Sequence, residues 1–378
     1  MQIVGINKTS ASLIARSSAY SAIILYFCIA AAWLERLCVS FYAWLRRLIF
    51  LLRLFFYSRV MKIVILDAFT TNCGDLSWEG IEQLGELAVY DRTAPADVVT
   101  RCAGAEAVLT NKVIISADIM DALPHLKYIG VMATGYNVVD IDAARKRGIV
   151  VTNVPAYSTP SVAQMVFAHL LNITNQVALH DAQVHSGMWA DCQDFCFYSA
   201  PLIELCGKQM GIVGLGQTGS AVAKIALALG MKVAAFTSKP QEALPEGIEK
   251  MPLDRLFASS DVLSLHCPLT PDTKHLVNAE RLNTMKPSAI VINTGRGPLV
   301  CEQDLADALN SGKIAAAAVD VLSTEPPAHD NPLLSARNCH ITPHIAWASQ
   351  AARTRLIQTL TSNLKGYISG NVVNNVAK

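Results

Sequence analysis

The stretch that most constrains this chain is residues 211–219, GIVGLGQTG. Apolar Ile212 and Val213 run into Gly214, Gly216 and Gly219, spaced G-x-G-x-x-G, and AVAKIALALG then carries apolar residues at helical spacing. A strand, a tight glycine turn and a helix start are what a dinucleotide pyrophosphate needs. Gly214 permits the turn, Gly216 lets backbone N–H groups approach the phosphates, and Gly219 lets the helix pack on the strand. The helix N-terminus adds unpaired donors and a partial positive charge. The fingerprint alone is weak, but a second apolar strand, 232–236, comes at the distance a β-α-β unit requires.

The rest of the chain keeps the same rhythm. Strands are expected at 62–67, 87–90, 107–110, 128–132 and 150–152, then at 232–236, 262–266, 290–293, 316–319 and near 340–342. Helices are expected at 78–84, 95–101, 116–123, 141–147, over 161–179 as one apolar helix, and at 221–229, 253–259, 279–285, 302–311 and 349–368. Such alternation implies parallel sheets covered on both faces. The expected fold is α/β, with two Rossmann-like doubly wound parallel-sheet domains separated by a cleft. PAYSTP at 155–160 reads as a hinge, and 185–206 as an irregular, aromatic excursion. The final helix is too short to be a domain and is expected to cross back. Residues 61–158 with 345–378 then form one α/β domain, and 159–344 the dinucleotide-binding domain.

Residues 1–60 differ in character from the remainder of the chain. Residues 17–34 form an uncharged run of 18 residues, barely enough for a membrane span. Arg36, Arg46, Arg47, Arg53 and Arg59 come after it, which would keep the C-terminal part cytoplasmic if the run were inserted. A cleaved signal peptide fits poorly. Two readings stay open: a prefix translated from an upstream start, with the soluble chain beginning at Met61, or a membrane anchor. Membrane contact is expected only if this segment is genuine, and the rest reads as cytoplasmic. The formal net charge of +1 gives no electrostatic case for nucleic acid. The ten cysteines include no C-x-x-C pair, so no metal site is expected and free thiols are the simpler reading.

Two residues stand out for chemistry. Arg296 follows a strand and sits between glycines in NTGRGP, where a guanidinium fork can hold a carboxylate through two bonds and polarise an adjacent carbonyl. His344, between Pro343 and an apolar IAW, is the candidate acid/base.

These stretches, with SLHCPLTPDTKHLV (264–277), AAVDVLSTEPP (317–327) and ITPHIAWAS (341–349), resemble the D-isomer-specific 2-hydroxyacid dehydrogenases from Met61 to about Val373. VLTNKV, VMATGYNVVD and HIAWAS are most similar to the bacterial glycerate dehydrogenase (hydroxypyruvate reductase) branch. The resemblance implies hydride transfer between NAD(P)H and a small 2-oxo/2-hydroxy acid, hydroxypyruvate and D-glycerate first and glyoxylate second, by a homodimer. It makes Glu325 the partner of His344, and Arg296, Glu325 and His344 the catalytic set. It assigns the substrate carboxylate to Arg296 and to backbone N–H groups of Ala133, Thr134 and Gly135. Asn111 and Lys112 are weaker candidates for the hydroxymethyl end. Cofactor contacts carry over onto Gly214, Gly216, Gln217, Thr218, Gly219, Thr237, Cys267, Pro268, Thr273, Thr294 and Gly295, with Asp320 near the nicotinamide end.

One departure matters. Where NAD-dependent members usually carry Asp, after the second strand, this chain has Thr237, then Ser238 and Lys239. No carboxylate repels a 2′-phosphate there, so NADP is allowed or preferred. Two other functions stay open: D-lactate or another 2-hydroxy acid as substrate, and a non-catalytic, nucleotide-sensing corepressor-like role.

Overall fold

A computed structural model of the chain describes Arg46 and residues 60–378. The apolar run at 17–34, and with it the choice between prefix and anchor, lies outside the described residues. Among the described residues no helix is long and apolar enough to cross a membrane.

Two parallel sheets organise residues 62–378. The first contains β1 (Lys62–Ile65), β2 (Glu86–Val89), β3 (Ala107–Thr110), β4 (Tyr128–Val131) and β5 (Val150–Thr152), in the order β2-β1-β3-β4-β5. The second contains β6 (Gln209–Val213), β7 (Lys232–Phe236), β8 (Ile248–Lys250), β9 (Val262–Leu265), β10 (Ile290–Asn293), β11 (Ala316–Val319) and β12 (Cys339–Ile341), in the order β12-β11-β10-β9-β6-β7-β8. Every residue of β3, β4, β9, β10 and β11 is buried, as strands covered by helices on both faces must be. The doubly wound architecture expected from the alternation is therefore present twice. In each sheet the strand order reverses beside the first strand, and such switch points open crevices outside the carboxyl ends of the strands.

The helices on the first sheet are α1 (Glu79–Glu82), α2 (Val98–Arg101), α3 (Ala117–Asp121) and α4 (Ile141–Lys146). Next come α5 (Thr159–Asn175) and α6 (Val177–His185), then α7 (Gln217–Ala228), α8 (Leu253–Ser259), α9 (Ala279–Thr284), α10 (Glu302–Asn310) and α11 (Gln350–Ile368). The last helix returns to the first sheet, where it packs on β4 and α1. The Tyr367 ring lies 5.0 Å from that of Tyr128. The tail then joins the sheet, Val376 N–H donating to the Val151 carbonyl at 2.8 Å.

Three elements differ from expectation. The single helix over 161–179 is two helices, broken at Gln176, which adopts the left-handed conformation at φ 50°. No glycine or proline announces that break. The β8 edge strand pairs only with β7 and has one buried residue in three, so it leaves little hydrophobic pattern. The dinucleotide helix α7 starts at Gln217 rather than 221, because Gly216 itself is the N-cap.

Candidate active site

The cleft between the two sheets encloses about 340 Å³. It is lined by Lys112, 133–135, Tyr157, 294–298, 320–323, Glu325, His344 and Trp347, among others.

Arg296 is placed by the turn that ends β10. Asn293 shapes it from below: its side-chain oxygen accepts Gly295 N–H at 3.0 Å, and its amide donates to the Arg296 carbonyl at 2.9 Å. Gly297 has no room for a side chain, since a Cβ would overlap the Leu322 carbonyl. That close approach brings the arginine turn against the 322–325 loop. Arg296 Nη1 donates to the Gly295 carbonyl at 2.8 Å, and Nη2 lies so near Gly135 that a Cβ there would sit 2.7 Å away.

Gly135 ends the second wall. The 133–135 turn is tied to the end of β5: Val154 N–H donates to the Ala133 carbonyl at 3.0 Å, and Thr134 Oγ1 donates to the Val154 carbonyl at 2.9 Å. The N–H groups of Ala133, Thr134 and Gly135 donate to no partner among the described residues. Three free amides beside a guanidinium are the kinds of donor that a carboxylate's oxygens accept from.

His344 stands in the left-handed region at φ 54°, costly for a non-glycine residue by roughly 1 kcal/mol or more. Asp320, buried at the end of β11, holds the turn. Its carboxylate accepts Thr342 Oγ1–H at 2.6 Å, Ile345 N–H at 2.9 Å and Ala346 N–H at 2.8 Å. Its carbonyl accepts His344 N–H at 2.8 Å. Asp320, expected near the nicotinamide end, does line the cleft, but its charge is spent on the chain's own donors.

Glu325 Oε2 accepts His344 Nδ1–H at 2.6 Å, while Oε1 accepts Leu322 N–H at 3.0 Å. The far nitrogen, Nε2, is thereby the one not engaged by Glu325. Burial alone would raise the Glu325 pKa. The hydrogen bond and charge of His344, the Leu322 N–H and Lys112 outweigh it, and the net shift is downward. The carboxylate therefore stays ionised beside the ring.

Tyr157 is a cleft residue that motif reading passed over; its ring meets Trp347 edge-on at 6.4 Å. Burial raises its phenol pKa, with Arg296 pulling the other way. Asp67, at the end of β1, was also passed over. Its carboxylate accepts the N–H groups of Asn111, Lys112 and Val113 at 2.8, 2.6 and 3.1 Å. A lone acid after a first strand signals no partner by itself. Asn111 and Lys112, the two weaker candidates, both line the cleft, and Asn111 is buried with its amide donating to Thr71 Oγ1 at 3.3 Å.

The glycine turn follows β6 directly. Gly214 has φ 95°, and a Cβ there would lie 2.7 Å from the Cys267 nitrogen. A Cβ on Gly219 would overlap the Gly214 carbonyl, whereas one on Gly216 meets open space. No side chain caps α7. These features fit a bound pyrophosphate: packed behind, open in front, with bare donors facing outward. Thr294 Oγ1, buried on the cleft wall without a hydrogen-bond partner among the described residues, fits a polar group arriving from outside. Of the other expected contacts, Gly295 lines the cleft, and Gln217 and Thr218 open α7. Cys267, Pro268 and Thr273 share the loop beyond β9, where Thr273 Oγ1 donates to the Pro268 carbonyl at 2.7 Å. Thr237 lies just after β7 and accepts Lys239 N–H at 3.3 Å. His266 serves structure: its Nε2 lies 2.8 Å from Ser264 Oγ, and burial pushes its pKa down to about 4.

The family model "D-isomer specific 2-hydroxyacid dehydrogenase, NAD binding domain" matches residues 167–346. A hydroxypyruvate reductase from Blautia hydrogenotrophica is 50% identical over 322 residues, covering 84% of this chain and 100% of that protein. A glycerate dehydrogenase from Methylorubrum extorquens is 40% identical over 292 residues, covering 76% of this chain and 91% of that protein. Among solved structures, the NADPH-dependent glyoxylate/hydroxypyruvate reductase of Sinorhizobium meliloti, in complex with NADP and malonate, superposes with a TM-score of 0.72. It is 30% identical, with 84% of this chain and 97% of that one covered.

Proposed function

Since this chain belongs to the D-isomer specific 2-hydroxyacid dehydrogenases, we propose that it reduces hydroxypyruvate to D-glycerate, with glyoxylate as second substrate. The observation that carries this is one cleft holding a guanidinium, three free amides and a carboxylate-paired imidazole. Arg296 and the 133–135 amides hold the substrate carboxylate and turn its carbonyl toward His344. A reduced nicotinamide dinucleotide, its pyrophosphate at the glycine turn, would supply the hydride. His344 Nε2 gives its proton to the carbonyl oxygen as negative charge develops there, and Glu325 stabilises the imidazolium that precedes transfer. In the oxidative direction His344 takes the hydroxyl proton. Residues 61–158 with 345–378 present the substrate, and 159–344 hold the cofactor. Closure at the hinges near 155–162 and 343–349 excludes water. Ser161 Oγ and Ser349 Oγ, 2.5 Å apart, mark where those hinges meet.

The α7 N-terminus and 214–219 turn would hold the pyrophosphate, and Thr294 the nicotinamide end. Thr237 supports NADPH at least as well as NADH. Lys239 lies two residues beyond it, Lys250 at the end of β8 donates from Nζ to the Lys239 carbonyl at 2.7 Å, and no acid stands at the ribose position. Steady-state reduction of hydroxypyruvate, glyoxylate and pyruvate with each cofactor tests the reading. The expected order is hydroxypyruvate, glyoxylate, then pyruvate, with NADPH no worse than NADH. Thr237→Asp should lower kcat/KM for NADPH about tenfold or more through charge repulsion. Pyruvate leading the series would move the chain to a lactate-type specificity. No turnover with any 2-oxo acid would favour a nucleotide-sensing role.

A homodimer is supported by the apolar surface of α6 and the adjoining excursion, where Trp189, Phe195, Tyr198 and Leu202 are 52%, 91%, 75% and 58% exposed. Sedimentation at micromolar concentration should give twice the chain mass; a monomer there removes the dimer. The eight free cysteines among the described residues suit a reducing, cytoplasmic setting.

A further inference from the structure

Behind the catalytic turn lies a buried polar chain that the mechanism does not use. His169 on α5 is 5% exposed, and its Nε2 lies 3.0 Å from Thr342 Oγ1. Thr342 Oγ1 in turn donates to Asp320 Oδ1 at 2.6 Å. A hydroxyl has one proton. With that proton committed to a buried carboxylate whose oxygens also accept two amide N–H groups, Thr342 meets His169 only as an acceptor, so His169 Nε2 carries a hydrogen. The same Asp320 carboxylate accepts Ile345 N–H and Ala346 N–H, the two amides next along the chain from His344. Three side chains from three elements thus run from the hinge helix to the backbone of the left-handed turn that presents the acid/base.

We propose that His169 is a positioning residue for His344, acting through Thr342 and Asp320 and tying the hinge helix α5 to the catalytic turn. α5 begins at the hinge, where Ser161 on its first turn meets Ser349. A shift of that helix on domain closure reaches the catalytic turn along this chain rather than through the sheet. His169 acts as an uncharged donor: burial lowers its pKa, with Asp320 opposing and His340 reinforcing. An uncharged donor orients the Thr342 hydroxyl without neutralising the carboxylate that three other donors share.

The inference rests on His344 being the proton donor, and its test separates the two. The variants are His169→Leu, Thr342→Val, the double variant, and His169→Gln, whose amide nitrogen can reach the place of Nε2. Hydroxypyruvate reduction and thermal midpoint are measured for each in the full chain. His169→Leu and Thr342→Val should each lower kcat about tenfold, since a small misplacement of a catalytic group is enough for that. KM for hydroxypyruvate and cofactor should stay within about twofold, because neither is touched. Members of one chain do not add, so the double variant should be no worse than the poorer single one. His169→Gln should recover most of kcat. Additive losses would overturn the link, as would a His169→Gln enzyme with an intact thermal midpoint and no recovery. So would losses in KM equal to those in kcat. Retention of full activity by His344→Ala would instead overturn the proton-donor assignment.

Discussion

His344→Ala should lower kcat for hydroxypyruvate reduction by about a thousandfold, the usual worth of a placed general acid, and should leave cofactor affinity within about twofold. The geometry dictates the split. His344 is anchored by Glu325 at 2.6 Å and by its N–H bond to the Asp320 carbonyl at 2.8 Å, and it sits far along the chain from the glycine turn. On the proposed reading, removing the ring would take away the proton source and leave the glycine turn undisturbed. The comparison is a stopped-flow single-turnover rate against cofactor fluorescence titration. A fall below tenfold in the single-turnover rate would move the acid elsewhere. The pair also sets a sign for pH. Because the Glu325 pKa is lowered, its support for the imidazolium is present above the ordinary carboxylate range, and it is lost only as pH falls through that lowered value.

The second large effect is at Arg296. Arg296→Gln should lower kcat/KM for hydroxypyruvate about a hundredfold, since losing one partner of a bound charge pair costs about 3 kcal/mol. Arg296→Lys should recover only part of this, because an ammonium cannot make the paired bonds of a guanidinium fork. Cofactor KM should move little. The measurement is a full kinetic series against both substrates, with malonate as a competing dianion. Equal losses in cofactor KM and substrate KM would show that the arginine serves the turn rather than the substrate. The site has no slack for a bulkier group here, because the guanidinium already lies against the Gly135 backbone, which has no side chain to yield.

Much of the architecture was legible in the chain. Strands covered on both faces read as continuous apolar runs, and β3, β5, β7, β10 and β11 fall where those runs lie. Glycine at 214 was legible because only glycine tolerates that φ and that approach to Cys267. The break at Gln176 was not, because a left-handed residue with no glycine leaves no compositional trace. β8 was not, because an edge strand with one buried residue has too little pattern to separate from loop.

The same division runs through the site. Sequence by itself determined the kinds of group present: a guanidinium after a strand, a histidine after a proline, a glycine turn before a helix. These are local, since each depends on residues within a few positions. Which groups meet was decided only by the tertiary structure. Arg296 and Gly135 are 161 positions apart, and Asp320 reaches His344 through a turn it holds from another strand. His169 and Thr342 are joined across 173 positions by one hydrogen bond. The physical reason is that hydrogen bonds and charges act over a few ångströms of space. Only the folded sheets, by bringing the ends of β4, β5, β10, β11 and β12 to one cleft, convert separate motifs into a site.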